Sequence, residues 1–177
     1  MKKSAHIIIP CRFAYLNCWR PIKQHNGESK YSVSAVISKD DEETIELIRK
    51  TLEYVTEKSV SKWGGRIPDK LRLPLHDGDV EKANNPVYKN SYFINAKCKD
   101  APQIVDGEVN PITNQSELYS GCYGNVSITF YGYNVGGSRG IAAWLCNIQK
   151  ISDGEPIGRK ILAKDEFKPV SGEELLK

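Results

Sequence analysis

Between residues 122 and 133 the chain alternates with a period of two. Cys122, Gly124, Val126, Ile128, Phe130 and Gly132 are small or apolar, and Tyr123, Asn125, Ser127, Thr129, Tyr131 and Tyr133 are polar or aromatic. In a strand this sends one set into a core and leaves three tyrosines on the opposite face among short polar side chains. Residues 134–140 carry Gly136, Gly137 and Gly140 and read as a turn, after which residues 141–150 return as the partner strand. Cross-strand packing accounts for one or two of these tyrosines without a ligand, and a platform for a flat ligand is the other reading.

The rest of the chain supplies further elements. Residues 7–19 are strand-like, with Pro10 arguing for an edge or a bend. Alternation there puts Phe13, Tyr15, Asn17 and Trp19 on one face, which area alone makes the core face, and Arg12, Ala14, Leu16 and Cys18 on the other. Residues 31–37 form a second strand after an Asn26-Gly27 turn. Asp40, Asp41, Glu42 and Glu43 then suit a helix start, and Ile45, Ile48, Leu52 and Val55 follow at helical spacing until Gly64-Gly65. Residues 63–82 read as a long loop in which Trp63 sits beside Arg66, Lys70 and Arg72; it either covers the helix end or stacks a base. In residues 92–99, Tyr92, Ile94, Ala96 and Cys98 alternate with Phe93, Asn95, Lys97 and Lys99, and residues 100–117 read as turns. The expected fold is mainly β and mostly antiparallel with one appended α-helix, compatible with a small barrel: one domain over residues 1–158 and a peripheral tail over 159–177.

Length and composition narrow the class. The 177 residues suffice for one domain with a sizeable core. No apolar run approaches the roughly 20 residues of a membrane span, and residues 7–9 are too short an apolar stretch for a signal peptide. The five cysteines are odd in number and contain no CxxC pair, so free thiols in a reducing, cytoplasmic setting are expected, and neither they nor the three histidines suggest a metal site. The net charge of +3 is uneven: residues 1–39 hold seven Lys or Arg against one acid, and residues 40–62 hold four against seven. One side of the molecule is thus expected to meet an anion.

No nucleophile elbow, P-loop, dinucleotide fingerprint or HExxH occurs, and no cofactor is implied. Aromatic strand faces with nearby cations suit single-stranded nucleic acid, because every base has a face to stack while Lys and Arg neutralise the backbone. On this reading Tyr123, Tyr131 and Tyr133 stack bases, with Tyr15 and Trp63 as secondary candidates, and Arg12, Lys97, Lys99 and Arg139 contact phosphate. The helix is acidic, which argues against a duplex reader. Two alternatives stand beside this one. The aromatic faces are a protein interface of a structural or interaction module, or Asp77 and Asp79 hold magnesium in a nuclease.

The ordered segments RFAYLNCW, KYSVSAVISKDDEETIELIRK, KWGGRIPDKLRLPLHDGD, YFINAKCKDAPQIVD, LYSGCYGNVSITFYGYN and GIAAWLCNIQKISDGEPIG cover most of residues 7–158. Together they resemble a family of tailed-phage and prophage proteins, first catalogued as a domain of unknown function and later assigned as single-stranded DNA-binding proteins with an OB-fold. The element order is also similar to that of the replication-associated single-strand binders of short-tailed phages. The resemblance implies an OB-fold-like antiparallel β-barrel and a non-enzymatic role in the bacterial host cytoplasm, coating unpaired DNA during phage replication or recombination. Its implied partners are single-stranded DNA, phage or host replication proteins and further copies of the chain, with no membrane. Those short-tailed-phage proteins end in a long acidic tail, whereas residues 165–177 hold four acids offset by Lys168 and Lys177.

Overall fold

The computed structural model describes residues 3–158 and 163–172. Seven strands form one sheet: β1 (His6–Lys23), β2 (Ser29–Ser38), β3 (Leu75–Asp77), β4 (Ser91–Cys98), β5 (Gln103–Val105), β6 (Tyr123–Val135) and β7 (Ser138–Ser152). Five of them close into a barrel. β2 and β6 flank β1, β4 follows β2, β7 follows β6, and a parallel contact between β4 and β7 at Ala96–Ala143 and Lys97–Trp144 completes the ring. Closure removes the sheet edges, and the fold is the expected OB-like barrel.

The alternation read from the sequence is the one β6 adopts. Gly124, Val126, Ile128 and Phe130 point inward to meet Ile9, Phe13, Val33, Ile37, Ile94, Leu145 and Ile148. Gly136 and Gly137 both take positive φ, 57° and 83°, which a two-residue hairpin turn with matching twist requires. Pro10 lies where β1 pairs only with β6, since β2 joins from Arg12 onward. Its missing N–H therefore leaves no ladder bond unmade on the open side.

Alternation in β1 breaks at Tyr15. The register jumps between Ala14 and Asn17, and Tyr15 adopts φ 46°. This bulge shifts the faces by one residue, so Phe13 is buried, Tyr15 is 54% exposed, and Cys18 replaces an aromatic in the core. The expected aromatic core face of β1 thus ends at Phe13.

Helix α1 (Glu42–Lys58) starts where Asp41 accepts a hydrogen bond from the Thr44 N–H, with Glu42 and Glu43 in the first turn. Ile45, Ile48, Leu52 and Val55 are buried in the same core as the barrel interior. Beyond it, a single 3-10 turn (Val60–Trp63) carries Trp63 inward. Trp63 is 2% exposed and its indole N–H donates to the Tyr133 carbonyl at 2.9 Å. Gly132 permits this approach, because a Cβ there would lie 2.6 Å from Ser59.

Two stretches read as loop and turns contain regular structure. β3 and the short helix α2 (Gly78–Glu81) lie within residues 63–82, and β5 runs parallel to β7 within residues 100–117. Residues 153–157, beyond the last periodic stretch, are pinned to the barrel. Tyr119 donates to the Gly154 carbonyl, Arg12 to the Glu155 carbonyl, and the Ile157 N–H to the Ser120 carbonyl. Of the expected tail, residues 163–172 are described, with a single helical turn α3 (Ala163–Glu166), and residues 159–162 and 173–177 lie outside the described residues.

Candidate nucleic-acid interface

Sheet register sets side chains side by side on the outside of the barrel. Thr129 faces Trp144, Trp144 faces Lys97, Lys97 faces Ser32, and Ser32 faces Asn17. Facing residues share a side of the sheet, so these five form a belt running across β6, β7, β4, β2 and β1. Tyr131 extends it toward the β6–β7 turn. Its ring meets Trp144 edge-on, with centroids 6.3 Å apart, and the two are 40% and 39% exposed. Burial, and then the neighbouring Tyr133, push the Tyr131 hydroxyl above its ordinary range, so it stays neutral.

At the far end of the belt stands Tyr15, with a ring nearly parallel to that of Tyr88 at 6.1 Å. Tyr88 in turn packs on Phe93 at 4.5 Å, and Phe93 on His76 at 5.0 Å. The exposed ring is thus backed by a ladder of covered ones. Residues 78–90 form a strap over β1, β2 and β4. Tyr88 donates to Ser34 beneath it, and the Asn85 amide donates to the Tyr15 hydroxyl at 2.9 Å. Between strap and sheet runs a groove of about 320 Å³ whose lining includes Tyr15, Asn17, Asn95, Lys82 and Lys97.

Cations flank this belt unequally. Lys97 reaches Gln24 at 3.0 Å but forms no ion pair among the described residues, whereas Lys99 lies 3.7 Å from Glu28. Arg139 and Tyr133 sit beside the β6–β7 turn. There the Arg72 N–H donates to the Arg139 carbonyl and the Ile141 N–H to the Arg72 carbonyl, stitching the loop of Arg66, Lys70 and Arg72 to β7. All three of those side chains are exposed.

Tyr123 and Arg12 occupy a different place. Tyr123 lies eight residues before Tyr131 on β6, roughly 26 Å away at the usual strand rise. The Arg12 guanidinium lies over the Tyr123 ring at 5.6 Å and donates to the carbonyls of Gly121 and Glu155. Arg12 is therefore largely spent on fastening residues 153–157. The two line a second groove of about 620 Å³ with Lys89, Ser38 and Asn125, on the other side of the strap. The predicted residues that lie on the surface hence fall into two groups.

A family model described as Enterobacter phage Enc34, ssDNA-binding protein, matches residues 5–176 of the chain. The chain belongs to this family. A relative from Acyrthosiphon pisum secondary endosymbiont phage 1, "putative protein p50", is 30% identical over 93% of this chain and 95% of its own. Among solved structures, the bacteriophage Enc34 single-stranded DNA-binding protein in complex with ssDNA superposes with a TM-score of 0.77. It is 24% identical, over 87% of this chain and 90% of that one. Bacteriophage T7 gp2.5, a single-stranded DNA-binding protein, superposes with a TM-score of 0.59 at 14% identity over 92% of both chains. These two likenesses show the shared fold.

Membership in the Enc34 family makes this a binder and not an enzyme, and the carboxylates considered for a magnesium site have another task. The Lys39 ammonium lies between Asp77 at 2.8 Å and Asp79 at 2.7 Å, and Asp79 also accepts from the Asn90 N–H. Hydrogen bonding to Lys39 holds both carboxyls below their ordinary range, and the same bonds raise Lys39. The trio fastens the ends of the strap. Trp63, a secondary stacking candidate, is corrected as well: its ring is core. Trp144, Asn95 and Lys82 escaped the sequence reading. Trp144 lies on a returning strand whose alternation is interrupted by an extra residue at Cys146, and that irregularity hid which face it takes.

The depressed carboxyls give a pH prediction. A group whose folded pKa is lowered contributes stability above its unfolded value, about 4 for Asp, and loses it as pH falls through the folded value. Wild type should therefore melt above Lys39→Met at neutral pH, with the gap closing as the pH falls below about 4, the ordinary aspartate value. Thermal scans across that range check it, and a gap independent of pH would show that the bridge does not fasten the strap.

Among the described residues, no helix is long and apolar enough to cross a membrane.

Proposed function

We propose that this protein binds single-stranded DNA along the belt from Tyr131 and Trp144 through Lys97 to Tyr15, keeping it unpaired during phage replication or recombination. The observation that supports this reading is the register itself. It gives two exposed aromatic stations, separated by a lysine and by small polar residues that leave the surface open. Bases stack on the rings, and cations beside the path neutralise phosphate. Tyr133, Arg139 and the loop cations near Arg72 extend the path past the β6–β7 turn. Lys99 contributes less, since Glu28 competes for it. Tyr123 and Arg12 are a separate contact on the second groove, reached only by a longer strand.

In this reading residues 1–158 are one binding domain and residues 159–177 a peripheral segment. The protein works in the cytoplasm of a bacterial host, where its free cysteines stay reduced. Replication proteins and further copies of the chain on the same strand are its other partners.

Fluorescence titration with single-stranded and duplex oligonucleotides at several salt concentrations tests the reading. Log affinity for the single strand should fall linearly with log salt, by about 0.7 per phosphate contact, and the duplex should bind more weakly. A flat salt response, or equal affinity for duplex, contradicts it. A phage assembly module would bind neither at moderate salt.

A further inference from the structure

We propose that His6 is a further contact of the strand, a histidine that holds phosphate when protonated, so that this protein grips single-stranded DNA more tightly as the pH falls. The inference rests on the single-strand reading above and deepens it. The belt does not stop at Thr129. His6 of β1 pairs with Thr129 of β6, so its side chain stands on the same outer face, two strand spacings or about 10 Å from Trp144. Asn17, at the belt's other end, is also on β1, roughly 35 Å from His6 at the usual strand rise. Facing positions therefore trace a helical path once around the barrel, as the strand tilt of a closed sheet requires. A strand that stacks a base on Trp144 and follows this path meets His6 next.

His6 is exposed, and its surroundings accept either charge state. Its Nδ1 lies 3.0 Å from the Thr129 hydroxyl, which in turn lies 3.5 Å from the Cys146 sulfur. A neutral ring accepts from that hydroxyl through Nδ1; a protonated ring donates to the same oxygen, and the hydroxyl proton turns to the sulfur. Both states satisfy the inner nitrogen, and Nε2 has no protein partner among the described residues. His76 differs, because Glu81 lies 2.9 Å from its Nδ1. Across a groove of about 530 Å³, α1 faces His6 with Lys50, Glu53, Tyr54 and Glu57, and Lys3 stands on its own segment. Those two bases and two acids offset one another, and β7 contributes only the Cys146 thiol. Histidine is the side chain whose charge changes between about pH 5 and 8. An arriving phosphate stabilises the protonated ring, and by linkage protonation strengthens binding of the strand.

The test measures fluorescence anisotropy of the full chain with one thymine oligonucleotide, whose bases do not titrate in this range, at about pH 8 and about pH 5.5 over a series of salt concentrations. Wild type should bind about threefold tighter at the lower pH, the size of an exposed ion pair. Its plot of log affinity against log salt should also steepen there by about 0.7, one more phosphate contact. His6→Gln keeps a polar group beside Thr129 and stays neutral, so it should lose both changes. His6→Lys, charged throughout, should show the steeper slope at both pH values. His25 and His76 are intact in His6→Gln, so a wild-type pH response in that variant overturns the assignment, as does a wild type indifferent to pH. Either result leaves the single-strand reading in place. Failure of wild type to bind the oligonucleotide at either pH overturns both.

Discussion

Replacing Trp63 by alanine is expected to destabilise the fold by about 3–5 kcal/mol, the usual cost of emptying a buried aromatic site. Two losses combine. The ring is nearly fully enclosed between the end of α1 and the Gly132 region of β6, and its N–H satisfies the Tyr133 carbonyl. Trp63→Phe keeps most of the volume and loses the hydrogen bond, so it should cost nearer 1 kcal/mol. Urea denaturation measures both. The folded fraction of Trp63→Phe should bind an oligonucleotide as wild type does. A Trp63→Ala protein as stable as wild type, with weakened binding, would return this residue to the surface.

Removing Trp144 should have the largest effect on binding. Stacking on one exposed ring is worth roughly 1–3 kcal/mol, so Trp144→Ala should weaken the complex by about tenfold or more. Tyr131→Ala should do the same to a lesser degree, because part of its ring is spent against Trp144. The two touch, so their effects should not add. Tyr133→Ala should matter less than either, since its hydroxyl lies against the backbone beside Gly140, where a Cβ would meet it at 2.8 Å. Titration of the three variants at one salt concentration checks the order. Equal affinity in Trp144→Ala and wild type would take the aromatic pair out of the mechanism.

Much of the barrel was legible because hydrophobic alternation is a direct projection of burial. β6 shows this best, with five inward residues, Gly124, Val126, Ile128, Phe130 and Gly132, read correctly from the period alone. The helix was legible for the same reason, from its apolar spacing and from the acids that cap it. Local pattern does not reveal who packs against whom. The bulge at Tyr15 depends on a carbonyl held by Asn17, and the strap depends on Lys39 meeting two aspartates about 40 positions away. Phe93 shows the same limit from the other side. It sits on the outward face of β4 as alternation requires, yet it is buried because Tyr88 and His76 cover it. The belt itself was half visible: the tyrosines of β6 and the lysines of β4 stood out, but only the parallel β4–β7 contact that closes the barrel brings Lys97 beside Trp144.

The chain has three tryptophans, and their indole N–H signals report on three environments. Trp63 is enclosed, Trp19 is partly buried with its N–H on the Leu118 carbonyl, and Trp144 stands on the belt. An NMR titration of the labelled protein with a short thymine oligonucleotide reads all three at once, together with the backbone amides. The Trp144 indole should shift most of the three, accompanied by the amides of Lys97, Ser32 and Asn17. An unmoved Trp144, with shifts gathered on the outer face of α1 instead, would contradict the account.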